Sequence, residues 1–107
     1  SRQLRGNQMF TWLNKQGVRS DAGFEVQFTG RFDAEYREAG KVMSIYVESG
    51  IHDGQACVII NPDAFDRWDG DAPSVKLPSD ERERIQQNFM EAMLFQGLKT
   101  VVEPGVS

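Results

Sequence analysis

The sequence predicts an α+β fold, an antiparallel β-sheet with one long amphipathic helix packed on one face. Three observations predict it. Two consecutive runs, residues 24–29 and 32–37, alternate apolar and polar side chains, the period of a half-buried strand. One stretch near the C-terminus, residues 80–96, carries Ile85, Phe89, Ala92, Met93 and Gln96 on one helical face, four of the five apolar. Sheet and helix then each have an apolar face to bury, and each covers the other.

Residues 1–8 are polar and lack apolar periodicity, so they read as a flexible leader or a cloning remnant, with a single domain over 9–107 and Met9 as a native start. A short apolar segment follows (Met9, Phe10, Trp12, Leu13), and residues 14–23 are rich in turn formers. The alternating runs 24–29 and 32–37, broken at Gly30 and Arg31, form a hairpin. Ala39 and Gly40 turn the chain into a third strand, 41–48, with Met43, Ile45 and Val47 in phase. Residues 49–55 hold Gly50, Asp53 and Gly54 and read as a turn region leading to residues 56–60, whose unbroken apolarity suits a central strand. A meander of about four strands is the simplest arrangement, because short connections favour neighbours.

Residues 61–78 break this pattern with three prolines and four aspartates. They read as a long loop with one helical turn, Asn61 capping it, Pro62 at its first position and Asp63 facing the helix dipole. Ser79 is placed as N-cap of the helix, with Asp80, Glu81 and Glu83 in its first turn, and Gly97 ends it in the left-handed conformation. Residues 99–103 form a C-terminal edge strand before a turn at Pro104 and Gly105. The expected core is Phe24, Val26, Phe28, Phe32, Ala34, Tyr36, Ile45, Val47, Val58 and Ile60 against Ile85, Phe89 and Met93.

Composition bounds the function. A chain of 107 residues with 39% hydrophobic and 10% aromatic content suits one folded domain and excludes a disordered tail. Twelve basic against 16 acidic residues leave a net charge of -4, which argues against nonspecific binding to nucleic acid or to an anionic membrane. Cys57 is the lone cysteine, so no intramolecular disulfide forms and a cytoplasmic location is expected. The apolar run 56–60 is far short of the roughly 20 residues that span a bilayer.

Catalytic patterns are weak. His52 lies within nine positions of Ser49, Asp53 and Cys57, but the spacing matches no nucleophile elbow or cysteine-protease signature. The aspartates of the loop lack the one-three-five spacing of an EF-hand, and Leu77 stands where its twelfth-position Glu belongs. There is no phosphate loop and no dinucleotide-binding glycine motif. No catalytic residue, metal site or cofactor is assigned, and the protein is not expected to be an enzyme.

The remaining feature is the acidic aromatic loop, residues 62–73. Its four aspartates against Arg67 give a local charge of -3, most of the chain's excess. Asp63, Asp66, Asp69 and Asp71 form a steering rim for a basic partner, and Phe65 and Trp68 are either exposed interface anchors or inward caps of the core.

The run Phe24, Glu25, Val26, Gln27, Phe28, Thr29, Gly30, Arg31, then Ala34, Glu35, Tyr36, then Ile59, Ile60, Asn61, the Phe-x-x-Trp-Asp of Phe65, Trp68 and Asp69, and the closing Phe95, Gln96, Gly97 resemble small bacterial immunity proteins of polymorphic toxin systems, including contact-dependent growth inhibition. The resemblance implies a cytoplasmic, non-enzymatic inhibitor that binds one cognate toxin C-terminal domain, often a nuclease, and blocks its active site or substrate groove. It carries no functional residue over position by position. An acidic binder suits a toxin that is basic where it meets nucleic acid. The alternative is a small ligand-binding or catalytic domain using a pocket between sheet and helix, with His52, Tyr36 or Tyr46 as its polar groups. A third reading is a homo-oligomer that pairs through an exposed strand edge.

Overall fold

The computed structural model describes residues 9–72 and 74–103, and His52 by its backbone. The expectations for the leader 1–8, for Pro73 as the end of the acidic loop, for the His52 side chain and for the turn at Pro104 and Gly105 lie outside what is described.

The fold is α+β, with one helix packed on a sheet. Five strands, β1 (Phe10–Asn14), β2 (Gly17–Ser20), β3 (Phe24–Gly30), β4 (Asp33–Glu38) and β5 (Lys41–Tyr46), form an antiparallel meander in chain order. A second, three-stranded sheet holds β6 (Glu48–His52), β7 (Gln55–Ile60) and β8 (Lys99–Val102). Helix α1 (Ser79–Phe95) lies in the connection from β7 to β8, which run parallel. A parallel pair needs a crossover of this kind, since a tight turn can only reverse the chain.

The expected hairpin is present, with Val26 opposite Tyr36 and Phe28 opposite Ala34. Three features differ. Residues 14–23 are not all turn: Gly17–Ser20 is a strand whose Val18 and Ser20 point inward, and it pairs with both β1 and β3. The third strand stops at Tyr46, and Val47 carries the chain into the second sheet while its N–H still donates to Phe32 C=O at 2.9 Å. The strand at 56–60 is therefore not the next rung of the meander. It pairs with β6, because Asp53 and Gly54, both at positive φ (52° and 77°), close a two-residue hairpin locally.

Helix α1 begins one residue earlier than expected. Pro78, extended at ψ 153°, takes the N-cap and its carbonyl accepts the Arg82 N–H at 3.0 Å, so Ser79 is the first helical residue and makes no side-chain cap. The C-terminus is as expected. Gly97 sits at φ 85°, its N–H donates to Leu94 C=O, and Leu98 N–H reaches back to Met93 C=O, both at 2.9 Å. These two bonds make a Schellman motif.

The core joins the inner faces of β2–β5 and β7 to Ile85, Phe89, Ala92 and Met93 of the helix, all fully buried. Phe32 is a correction: at 45% exposed it lies in the turn before β4, where the register shift near Gly30 turns it out to stack on Tyr46 (ring centroids 6.2 Å apart). Phe28 is only half-buried, whereas Val18, in the stretch read as turn, and Met43, read in phase with Ile45 and Val47 but left out of the expected core, are fully buried. A chain of ring contacts crosses the core: Trp12 to Phe95, Phe95 to Phe10, Phe10 to Phe24, Phe24 to Tyr36 and Tyr36 to Trp68, with centroids 5.3–6.1 Å apart. Beneath the helix, Asn88 donates to the Tyr36 hydroxyl, which donates to Glu38, both at 3.0 Å, and Arg84 holds Glu38 at 2.8 Å. Burial, opposed by the Asn88 bond, pushes the Tyr36 hydroxyl above its ordinary range.

On the opposite, solvent face of β2–β4, charges pair both across and along strands. Arg19 meets Glu25 at 2.9 Å, and Arg37 lies between Glu35 (2.7 Å) and Glu25 (3.6 Å). Such exposed pairs contribute little to stability. Among the described residues, no helix is long and apolar enough to cross a membrane.

Candidate functional site

The acidic loop is folded rather than splayed. Asn61 Oδ1 accepts the Asp63 N–H at 2.9 Å and Asn61 C=O accepts the Ala64 N–H at 2.9 Å, so the residue expected to cap a turn does so, although the chain makes turns there and not a helix. This start directs Phe65 and Trp68 inward. Phe65 is 1% and Trp68 4% exposed, Phe65 packing edge-on against Phe89 and Trp68 against Tyr36. Neither ring is an exposed interface anchor. Burying two large rings in a small core outweighs leaving them in water. Lys41 Nζ covers Trp68 from 5.8 Å.

With the aromatics as pins, the loop runs along the free edge of β5. Asp69 N–H donates to Val42 C=O at 2.8 Å. Its carboxylate accepts the Ser44 N–H at 3.0 Å and the Ser44 hydroxyl at 2.6 Å. One residue thus satisfies two backbone groups of an edge strand and fixes the loop beside it. Asp66 is also engaged, with Arg82 of the helix at 3.2 Å and Lys76 at 3.6 Å.

Between loop and strand lies an open cleft of about 440 Å³, lined by Ser44 and Tyr46 of β5 and by Asn61, Asp63, Ala64, Asp66, Arg67 and Asp69 of the loop. Three of the four expected aspartates, Asp63, Asp66 and Asp69, face it together. Asp71 does not line it; it stands exposed farther along the loop, its C=O accepting from Arg67 at 3.2 Å. The four carboxylates therefore divide into two that hold the loop, Asp66 and Asp69, and two, Asp63 and Asp71, that form no ion pair among the described residues. Tyr46 donates to Glu48 at 2.9 Å, and that bond raises its hydroxyl above the ordinary value, so the ring presents a neutral phenol. Carboxylates that accept, one guanidinium that donates and a phenol edge make a surface suited to holding a cationic group.

Sequence reasoning missed Ser44 and named Tyr46 only as a polar group of a pocket between sheet and helix, whereas Tyr46 stands on the β5 wall of the cleft beside the loop. Ser44 and Tyr46 alternate with inward Met43 and Ile45, which marks them as outward-facing, but nothing local shows that residue 69 returns to residue 44. The other candidate chemistry is dispersed. Tyr36, proposed as a pocket group between sheet and helix, is fully buried and hydrogen-bonded as part of the core. Cys57 is buried in β7 opposite Gly50, while Ser49 is paired with Val58. Among the described residues, no group of three or more His, Cys, Asp or Glu side chains is gathered to hold a metal.

Comparison with protein-family models, with curated proteins and with solved structures gives no match.

Proposed function

We propose that the chain is a non-enzymatic binding protein that neutralises a cognate bacterial toxin domain, in the manner of the immunity proteins it resembles. The observation that carries this reading is the convergence of Asp63, Asp66 and Asp69 with Ser44 and Tyr46 on one open cleft beside a strand edge. A basic segment of the partner, such as the nucleic-acid groove of a nuclease, meets two carboxylates there that are already held in place, Asp66 and Asp69, and a third, Asp63, that forms no ion pair among the described residues. Pre-organised charge raises association rate and selects against acidic competitors. In a cytoplasmic setting the bound protein would cover the groove from its substrate.

The test is affinity capture on the immobilised protein from lysate and secreted fractions of its source, at low and high salt, followed by association kinetics with the captured domain. Expected is one toxin C-terminal domain, released as salt rises. The double variant Asp63→Asn with Asp71→Asn should slow association roughly tenfold and flatten its salt dependence. Both residues are exposed and neither holds the loop, so the variant tests charge and not folding. A toxin domain that binds the variant at an unchanged rate removes the loop from the interface. Capture of no toxin domain, when the toxin is shown to be present, overturns the reading.

A further inference from the structure

The acidic cleft has one wall that is aromatic. Tyr46 lines it from β5 and stays 38% exposed. Phe32 stacks on Tyr46 with the ring planes 22° apart, and the Arg31 guanidinium lies over Phe32, 5.9 Å from the ring centroid. The chain thus already holds one of its own guanidinium groups on this pair of rings. Carboxylates border Tyr46 as well: Asp33 is its partner across the strands, and Glu48 accepts its hydroxyl at 2.9 Å. A supported ring in a negative setting attracts a cation to its face.

The rest of the lining narrows what can enter. Asp66 is engaged by Arg82 and Lys76, and Asp69 by Ser44, so Asp63, which forms no ion pair among the described residues, is the lining carboxylate left for an incoming cation. Arg67 stands in the same cleft, with Nη1 donating to the Asp71 C=O at 3.2 Å. A guanidinium carries five N–H donors, so Arg67 has others to offer an acceptor, while its charge repels a bare metal ion or a polyamine. The cleft therefore suits a ligand with a cation at one end and a carbonyl oxygen close by. A basic residue within a polypeptide is such a ligand.

We propose that the cleft takes one arginine side chain of a polypeptide partner, its guanidinium stacked on Tyr46 and paired with Asp63, and a backbone carbonyl beside it accepting from Arg67. The inference rests on the binding role proposed above and names the group that the partner brings. Arginine is selected over lysine because its planar fork lies flat on a ring and meets a carboxylate through two parallel N–H bonds. An ammonium is a compact, strongly hydrated point charge and gains less from either contact. The Arg31 guanidinium over Phe32 shows the same preference within the chain.

The test is an NMR titration of the full chain with the blocked tripeptide acetyl-Gly-Arg-Gly-amide and with its lysine counterpart, each up to about 20 mM, the range suited to a single side-chain contact. Saturable shifts are expected at the amides of Ser44, Tyr46, Asp63 and Arg67, with the lysine peptide at least about threefold weaker. Tyr46→Leu and Asp63→Asn should each weaken the arginine peptide about threefold, Tyr46→Phe should keep its affinity, and Asp71→Asn, outside the cleft, should leave it unchanged. No saturable shift, shifts centred elsewhere, equal affinity for the lysine peptide, or binding that survives Tyr46→Leu overturns the proposal. The titration needs no toxin. A captured toxin domain without peptide binding overturns this site and leaves the immunity reading standing, whereas peptide binding with no toxin captured does the reverse.

Discussion

The two edges of the five-stranded sheet present the same backbone problem and receive different answers. At β5 the chain returns 25 residues later, and Asp69 supplies one donor and two acceptor oxygens to Val42 and Ser44. At β1 no comparable return occurs among the described residues, and the neighbourhood is aromatic instead of acidic. The difference shows that β5 is closed by a partner distant in sequence and not by its own composition. Lys41-Val-Met-Ser-Ile-Tyr46 is hardly more polar than β1, yet it is the covered one.

The heaviest blow to the comparison is Trp68→Ala. It removes the pin that holds the loop, and truncating a buried aromatic of this kind costs about 3–5 kcal/mol. Denaturant unfolding should show that loss, with β5 amides exchanging as fast as an uncovered edge. An unfolding free energy within about 1 kcal/mol of the parent would mean the loop is not anchored through this ring.

Asp69→Ala is gentler and more specific. The side chain accepts two hydrogen bonds in an exposed setting, so a loss of about 1 kcal/mol is expected. Ser44 amide exchange should accelerate markedly while Thr11 and Trp12 stay as they were. If Ser44 retains its protection, the carboxylate is not what seals the edge.

Tyr36 sharpens the comparison from the middle, since its ring links Phe24 on one side to Trp68 on the other. Burial raises its hydroxyl pKa in the folded protein above the unfolded value of about 10. The unfolded chain therefore releases this proton first as pH rises. Stability is fully present below about pH 10 and falls above it as the unfolded state ionises. Tyr36→Phe should cost about 1 kcal/mol at neutral pH, for the bonds with Asn88 and Glu38, and should flatten this alkaline decline. Urea midpoints across the alkaline range decide it, and an equally steep decline in the variant would assign the effect to another group.

Much of the fold was legible because its signals are local. Strands β3 and β4 alternate at period two over six residues, α1 repeats its apolar face, and Gly97 stands where only a left-handed residue ends the helix easily. Strand β2 is four residues long with one large apolar side chain, and β6 is polar with a glycine, so each owes its state to the partner beside it. The division into two sheets turns on Val47, whose own side chain reads like any other core residue. The candidate site was half legible. The aspartates were visible as a cluster, but their roles were not, because Asp66 finds Arg82 across 16 positions and Asp69 finds Ser44 across 25. The aromatics were ambiguous for the same reason: inward or outward is decided by Phe89 and Tyr36, not by the loop.

The placement of the two tryptophans gives the molecule a built-in pair of optical reporters. Trp68 is sealed beside the acidic cleft and Trp12 stands half in water at the opposite edge, joined through the row of rings between them. The first should emit to the blue and resist quenching by iodide, and the second should emit to the red and be quenched readily. Events at either margin of the sheet can thus be followed separately by the colour of light, without attaching a dye.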